Sequence, residues 1–131
     1  MTLLLRDYHG HPYELTSPED AARRFDEQIE TIMPHGGCGQ TLTVGTLDQP
    51  VLRIDIDIDA DRAAVRWLPD RSYVADLAPD TPITVYESPD TGLQDIPANR
   101  ARVATAVARA VVVEYANTGQ RPANVHWKYD Q

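Results

Sequence analysis

Residues 51–68 read VLRIDIDIDADRAAVRWL and contain the pattern of two strands with a turn between them. Over 52–58, apolar residues occupy every second position and charged residues the positions between. This period of two is typical of a β-strand with one buried face. The polar run at 59–62 predicts a turn, and 63–68 predicts the returning strand. The stretch therefore predicts an antiparallel hairpin.

The register of this hairpin is predicted from its two faces. Pairing Ile58 with Ala63 brings apolar residues together on one face, where Trp67 is expected to be a core residue. The same pairing places Asp55 beside Arg66 on the other face, as a favourable cross-strand charge pair. Because both faces agree on it, we predict this register.

The hairpin belongs to a larger alternation of strands and helices. Ser17 and Pro18 predict the start of a first helix that runs to about Met33. A second, very apolar helix of about 20 residues begins near Asp95 and is closed by Gly119. Further strands are predicted at 2–8, 13–15, 41–47, 83–88 and 123–129. The order predicts one α+β domain over residues 1–131, with a mostly antiparallel sheet of five to six strands packed with two helices.

Amino-acid composition and net charge limit the classes of partner that the chain is expected to bind. The chain of 131 residues has 20 acidic and 12 basic residues, a net charge of −8 and a pI near 4.8. This charge disfavours nucleic acid and anionic membranes as partners and favours a basic protein. No apolar run approaches the roughly 18–20 residues that span a bilayer, and the first residues lack the pattern of a signal peptide. We therefore expect a cytoplasmic protein.

The sequence lacks the complete pattern of three kinds of chemical site. Asp55, Asp57 and Asp59 resemble a calcium loop, but Ala60 replaces the glycine and Arg66 the glutamate that this loop requires. Five residues could bind a metal without forming a recognised motif: His9, His11, His35, Cys38 and His126. No nucleophile or phosphate-loop motif is present. We expect no catalytic residues, no metal and no cofactor, with the roles of the histidines and Cys38 left open.

The C-terminal stretch EYANTGQRPANVHW, residues 114–127, is the most distinctive motif. A helix ends in Thr-Gly, Arg-Pro follows, and a short strand ends in tryptophan. This pattern, with the upstream hairpin around Trp67, resembles immunity proteins of bacterial polymorphic toxin systems, in particular their first-numbered family, which is often paired with deaminase-type toxins. Local physics gives Gly119, Pro122 and Trp127 structural roles as helix cap, helix stop and strand anchor.

The resemblance implies a protein that binds a cognate secreted toxin and blocks its active site, without enzymatic activity. The charge pattern adds the hypothesis that a carboxylate-rich surface fills the cationic cleft of a nucleic-acid-acting toxin. The predicted partner-binding residues are Asp55, Asp57, Asp59, Asp61, Arg66, Glu87, Asp90 and Asp95. Two alternatives stay open: a structural or regulatory homo-oligomeric subunit, and a small enzyme with scattered catalytic residues.

Overall fold

The computed structural model describes residues 2–32 and 39–129, except for the side chain of residue 32. Nine strands and two helices lie within these residues. The strands are β1 (Leu3–Arg6), β2 (Pro12–Leu15), β3 (Gly39–Gly45), β4 (Pro50–Asp57), β5 (Arg62–Trp67), β6 (Ser72–Val74), β7 (Ile83–Ser88), β8 (Gly92–Ile96) and β9 (Trp127–Lys128), and the helices are α1 (Pro18–Ile32) and α2 (Thr105–Thr118). The α+β class is confirmed, but the sheet has nine strands where five to six were expected.

The sheet divides at β3. Its main path runs β2-β1-β3-β4-β5-β6-β9, with every neighbouring pair antiparallel. The first residues of β3, Gly39 and Gln40, also pair in parallel with β7, which carries β8 on its far side. Gly39 is required here because a Cβ would overlap the backbone carbonyl of Ile56. The β7–β8 hairpin is thereby held beside the start of β3 as a branch of the sheet.

One face of the main sheet packs against the helices. Leu52, Ile54 and Ile56 of β4 are completely buried and belong to the same core as Phe25 of α1 and Tyr115 of α2. The beginning of α1 follows the prediction, since the Ser17 hydroxyl accepts a hydrogen bond from the backbone N–H of Asp20 at 3.0 Å. Met33, the predicted end of that helix, lies outside the described residues.

The β4–β5 hairpin is confirmed, but its predicted register is wrong by two residues. Asp55 lies opposite Ala64, and Arg66 lies opposite Arg53. The turn accounts for the difference, because the backbone N–H of Asp61 donates to the carbonyl of Ile58 at 3.1 Å. A shift of two keeps every side chain on its predicted face. It removes the cross-strand charge pair that had supported the predicted register.

The second helix starts about ten residues later than predicted. Residues 92–96 form β8 instead, and Val103 makes an isolated antiparallel bridge to Ala63 of β5. Helix α2 begins at Thr105, whose backbone N–H donates to the Asp61 carboxylate at 3.1 Å. It is also less buried than expected, because it packs through one face and exposes Arg109 on the other. Long-range pairing of the preceding residues overrides the local signals of a helix start.

The C-terminal motif fixes the end of the chain to the sheet. Gly119 ends α2 at φ +72°, and its N–H donates to the Tyr115 carbonyl at 2.7 Å. The indole N–H of Trp127 donates to the Pro122 carbonyl at 2.7 Å. Trp67, partly buried, stacks edge-on against both Tyr115 and Trp127. Gly119 therefore caps α2 and Trp127 contacts the core near the end of the chain, although β9 is only two residues long and β6, its partner, was not predicted.

Replacing Gly119 with alanine should destabilise the fold by about 1 kcal/mol, because a Cβ is disfavoured at positive φ by roughly 1–2 kcal/mol. The neighbouring Gln120→Ala, at an exposed position, should change the free energy of unfolding by less than about 0.5 kcal/mol. Urea denaturation measures both. Equal stabilities of the two variants would contradict the assigned cap.

Candidate functional site

The sheet face away from the main core carries the charged residues of the hairpin. Arg53 and Asp55 of β4 lie on this face beside Thr41 of β3, and Arg66 of β5 lies next to Tyr73 of β6. Alternation along each strand places these polar side chains together, since their apolar neighbours fill the core. This face is therefore the place where the sequence concentrates charge on a rigid scaffold.

The sequence predicted that Asp55 belongs to an exposed, partner-binding surface. The structure instead buries Asp55, which is only 4% exposed. Its carboxylate accepts hydrogen bonds from the Thr41 hydroxyl at 2.6 Å and from Arg53 Nε at 3.2–3.3 Å. Arg53 also lies 3.6 Å from the carboxylate of Glu87. A buried carboxylate needs such partners to offset its lost hydration. Asp55 is consequently a structural residue of this face.

The other predicted acidic residues separate into two groups at opposite ends of the sheet. The β4–β5 turn, the start of β7 and the end of β8 share one end, because β3 runs antiparallel to β4 and parallel to β7. We call this the acidic end, and it comprises Asp57, Asp59, Asp61, Asp80 and Asp95. Asp90 lies in the β7–β8 turn at the other end, as does Asp48 in the β3–β4 turn.

Within the acidic end the carboxylates differ in the hydrogen bonds that they accept. Asp57 accepts hydrogen bonds from the backbone N–H groups of Asp59 and Ala60, which orders the turn. The Asp61 carboxylate accepts a hydrogen bond from the backbone N–H of Thr105, the first residue of α2. Asp59 and Asp95 are exposed. Sequence reasoning did not single out Asp80, which lies 4.0 Å from Arg62 and reaches this end through the chain that leads into β7.

A cleft of about 220 Å³ opens on the charged face. The sheet forms one wall, and the end of β8 with the following turn forms the other. We call it the arginine cleft, and it is lined by Arg53, Asp55, Ala64, Val65, Arg66, Tyr73, Ile96, Pro97 and Arg100. The guanidinium carbon of Arg100 lies 4.3 Å from the centre of the Tyr73 ring, in cation–π contact. The lining thus combines apolar residues such as Ala64 and Ile96 with three arginines.

Electrostatics distinguishes the arginines of this cleft. Burial by itself lowers the pKa of Arg53, but Asp55 and, more weakly, Glu87 outweigh it and raise the pKa. Burial also lowers the pKa of Arg66, and the positive charges of Arg100 and Arg53 lower it further, which Asp55 only partly offsets.

Two other features of the described residues could hold a ligand: a hollow along α2 and a cluster of possible metal ligands. A wider hollow of about 510 Å³ lies along the exposed face of α2 near Arg109, without a comparable convergence of charge. In the described part of the chain, possible metal ligands come together at Asp7, His9 and His11, within 4.8 Å of one another. Asp7 there already accepts the backbone N–H groups of both histidines. His35 and Cys38 lie outside the described residues.

Comparison with known proteins identifies the family. The protein-family model described as Immunity protein Imm1 matches residues 9–129, which is nearly the whole chain. The chain belongs to the Imm1 family of immunity proteins. No curated protein matches it significantly. Within residues 2–32 and 39–129 of this Imm1 protein, no helix has both the length and the apolar character needed to cross a bilayer.

Of the predicted partner-binding residues, the arginine cleft of this Imm1 protein includes Arg66 and the buried Asp55. Arg100 was missed in the sequence because it was placed inside a predicted helix, whereas it is the last residue of a turn, in which its backbone N–H donates to the Pro97 carbonyl at 2.9 Å. Tyr73 was missed as a cleft residue because β6 has only three residues. No local pattern marks either residue.

Asp55→Asn should destabilise this Imm1 protein by about 2–4 kcal/mol, because it removes the buried charge that faces Arg53. Asp59→Asn, in the same hairpin but exposed, should stay within about 0.5 kcal/mol of the wild type. Equilibrium unfolding in urea tests both. A fully stable Asp55→Asn variant would show that the carboxylate has no structural role.

Proposed function

We propose that this Imm1 protein binds a cognate secreted toxin in the cytoplasm, one to one, and blocks its active site without catalysing a reaction. The observation that carries the proposal is the match to an immunity family over residues 9–129. Such a protein acts by covering a surface of the toxin, so its function depends on a surface of its own whose shape and charge complement the toxin. The two features that can supply it are the acidic end and the arginine cleft.

The toxin of this proposal is basic, acts on nucleic acid and is of the deaminase type. A net charge of −8 supports a cationic partner, and an enzyme that holds a phosphate backbone has a positive cleft. Opposite charges on two proteins accelerate their encounter, and this acceleration weakens as salt rises. The acidic end meets this requirement best, because Asp59, Asp61, Asp80 and Asp95 are all exposed there.

The arrangement of the carboxylates limits which of them are expected to contact the toxin first. Asp55 is buried and Asp57 orders its turn, so neither is used as a freely offered charge. Glu87 stays beside Arg53 and borders the arginine cleft. We therefore propose that Asp59 and Asp95 make the first electrostatic contact, with Asp90 at the opposite end as the alternative position.

The identity of the toxin is tested by co-expression. The protein product of the neighbouring reading frame should co-purify with this chain at equal stoichiometry and should lose its activity in the complex. An active toxin in a stable complex would contradict active-site blockage. A toxin that does not act on nucleic acid would contradict the deaminase-type assignment and leave toxin binding in place.

The position of the electrostatic contact is tested by charge reversal. The pair Asp59→Lys and Asp95→Lys should slow association with the toxin about tenfold at low salt, and the effect should shrink at high salt. Stopped-flow fluorescence or surface plasmon resonance measures the association rate constant.

The matched control is the pair Asp48→Lys and Asp90→Lys, which makes the same change in net charge at the other end of the sheet. It should slow association only by the general effect of net charge. If this control pair is the slower one, the contact lies at the Asp90 end. If the two pairs behave alike, local steering by the acidic end is wrong.

A further inference from the structure

Three possible metal ligands meet where the chain turns from β1 into β2. The side chains of Asp7, His9 and His11 each offer one donor atom, and these three atoms lie within 4.8 Å of one another. The sequence predicted no metal, because the histidines by themselves form no recognised motif. The structure adds the carboxylate of Asp7 to them, which gives a set of two imidazole nitrogens and one carboxylate oxygen.

Asp7 also holds the backbone of this turn in place. Its Oδ1 accepts hydrogen bonds from the backbone N–H of His9 at 3.0 Å and from that of His11 at 2.9 Å. Its carbonyl accepts the N–H of Gly10 at 2.9 Å, and Gly10 adopts a φ of +85°, which glycine tolerates without strain. The backbone positions of the two histidines are therefore set by the turn before any ion binds.

The second oxygen of the Asp7 carboxylate lies beside the ring of His11. Oδ2 is 3.4 Å from Nδ1 of His11, and it accepts a hydrogen bond from the Tyr13 hydroxyl at 3.3 Å. Ligand atoms about 2.0–2.2 Å from a tetrahedral zinc ion are about 3.3 Å apart, so this pair already has the required spacing. A carboxylate oxygen has more than one lone pair, so the Tyr13 contact orients Oδ2 and leaves it able to bind a metal.

The histidine side chains can complete the site by small movements. The rings of His9 and His11 are nearly parallel, with an angle of 19° between their planes and 5.6 Å between their centroids. Both side chains are exposed, so rotation about their own bonds can bring the three donor atoms to the spacing of a metal site without disturbing the core. The Asp7 side chain, at 9% exposure, is the fixed ligand of the three.

We propose that Asp7, His9 and His11 form a binding site for one zinc ion. Zinc accepts imidazole nitrogen together with carboxylate oxygen in a tetrahedral arrangement, whereas magnesium and calcium prefer sites made of oxygen alone. Three protein ligands leave the fourth position to water. The ion links the end of β1 to the start of β2 at the edge of the sheet. This inference goes beyond toxin binding, because the site needs no partner.

Titration of the full chain with zinc chloride tests the site directly. In ¹⁵N-resolved spectra, the ring-nitrogen signals of His9 and His11 should shift together and saturate together, because both rings bind the same ion. The signals of His126, which is exposed elsewhere on the protein, should stay unchanged. Magnesium chloride and calcium chloride should shift none of them. Shifts at only one of the two rings, or equal shifts at His126, would overturn the proposal.

Calorimetric titration of variants with zinc chloride assigns the ligands. His9→Ala and His11→Ala, both at exposed positions, should each weaken zinc binding about tenfold or more, because losing a ligand costs at least as much as losing a group that orients one. Asp7→Asn should have a similar effect, since it removes the anionic donor and keeps an amide oxygen for the backbone N–H groups. His126→Ala is the matched control, because it removes an exposed histidine outside the cluster, and it should bind zinc like the wild type.

Each variant can contradict the assignment. Zinc binding at wild-type strength in His9→Ala or His11→Ala shows that the site is wrong, and so does an equal loss in His126→Ala. Wild-type affinity in a folded Asp7→Asn variant reduces the site to two histidines and overturns the three-ligand assignment. Far-UV circular dichroism shows whether Asp7→Asn folds, and if it does not, the two histidine variants decide the question.

Discussion

The buried carboxylate of Asp55 is the constraint on which the charged face of the sheet depends. A carboxylate at 4% exposure is tolerated only with strong partners, and Thr41 and Arg53 provide them from two adjacent strands. Arg53 in turn approaches Glu87 of β7, which helps to hold the β7–β8 branch over this face. The arginine cleft lies between the end of that branch and the sheet, with Asp55 in its lining.

The acidic composition of the chain is divided between structure and surface. Several aspartates close turns with their carboxylates: Asp7 receives two backbone N–H groups, Asp57 two more, and Asp70 the N–H and hydroxyl of Ser72. Asp70 also pairs with Arg121 of the C-terminal motif. A count of acidic residues therefore overstates the charge available for binding. Exposed carboxylates remain at the acidic end, at Asp59, Asp61, Asp80 and Asp95, and also elsewhere, for example at Glu19, Asp48 and Asp90.

Opposite charges on separate regions suit a protein that must find its partner quickly and release it slowly. Exposed carboxylates act over a Debye length and govern the encounter, whereas a partly buried arginine acts only on contact. We propose that exposed residues such as Asp59 take the first role in this Imm1 protein. The family match supplies the partner class, and the distribution of exposed carboxylates is the basis of the proposed contact.

The sequence by itself determined the elements whose causes are local. Alternation fixed the β4–β5 hairpin and its faces, Ser17 capped α1, and the C-terminal motif set Gly119 and Trp127 in their roles, because each depends on neighbours within a few residues. Tertiary structure alone decided the hairpin register, the late start of α2, the burial of Asp55 and the cleft around Arg66. These depend on pairing between distant segments, whose hydrogen bonds and desolvation outweigh local propensity and leave no pattern in the chain.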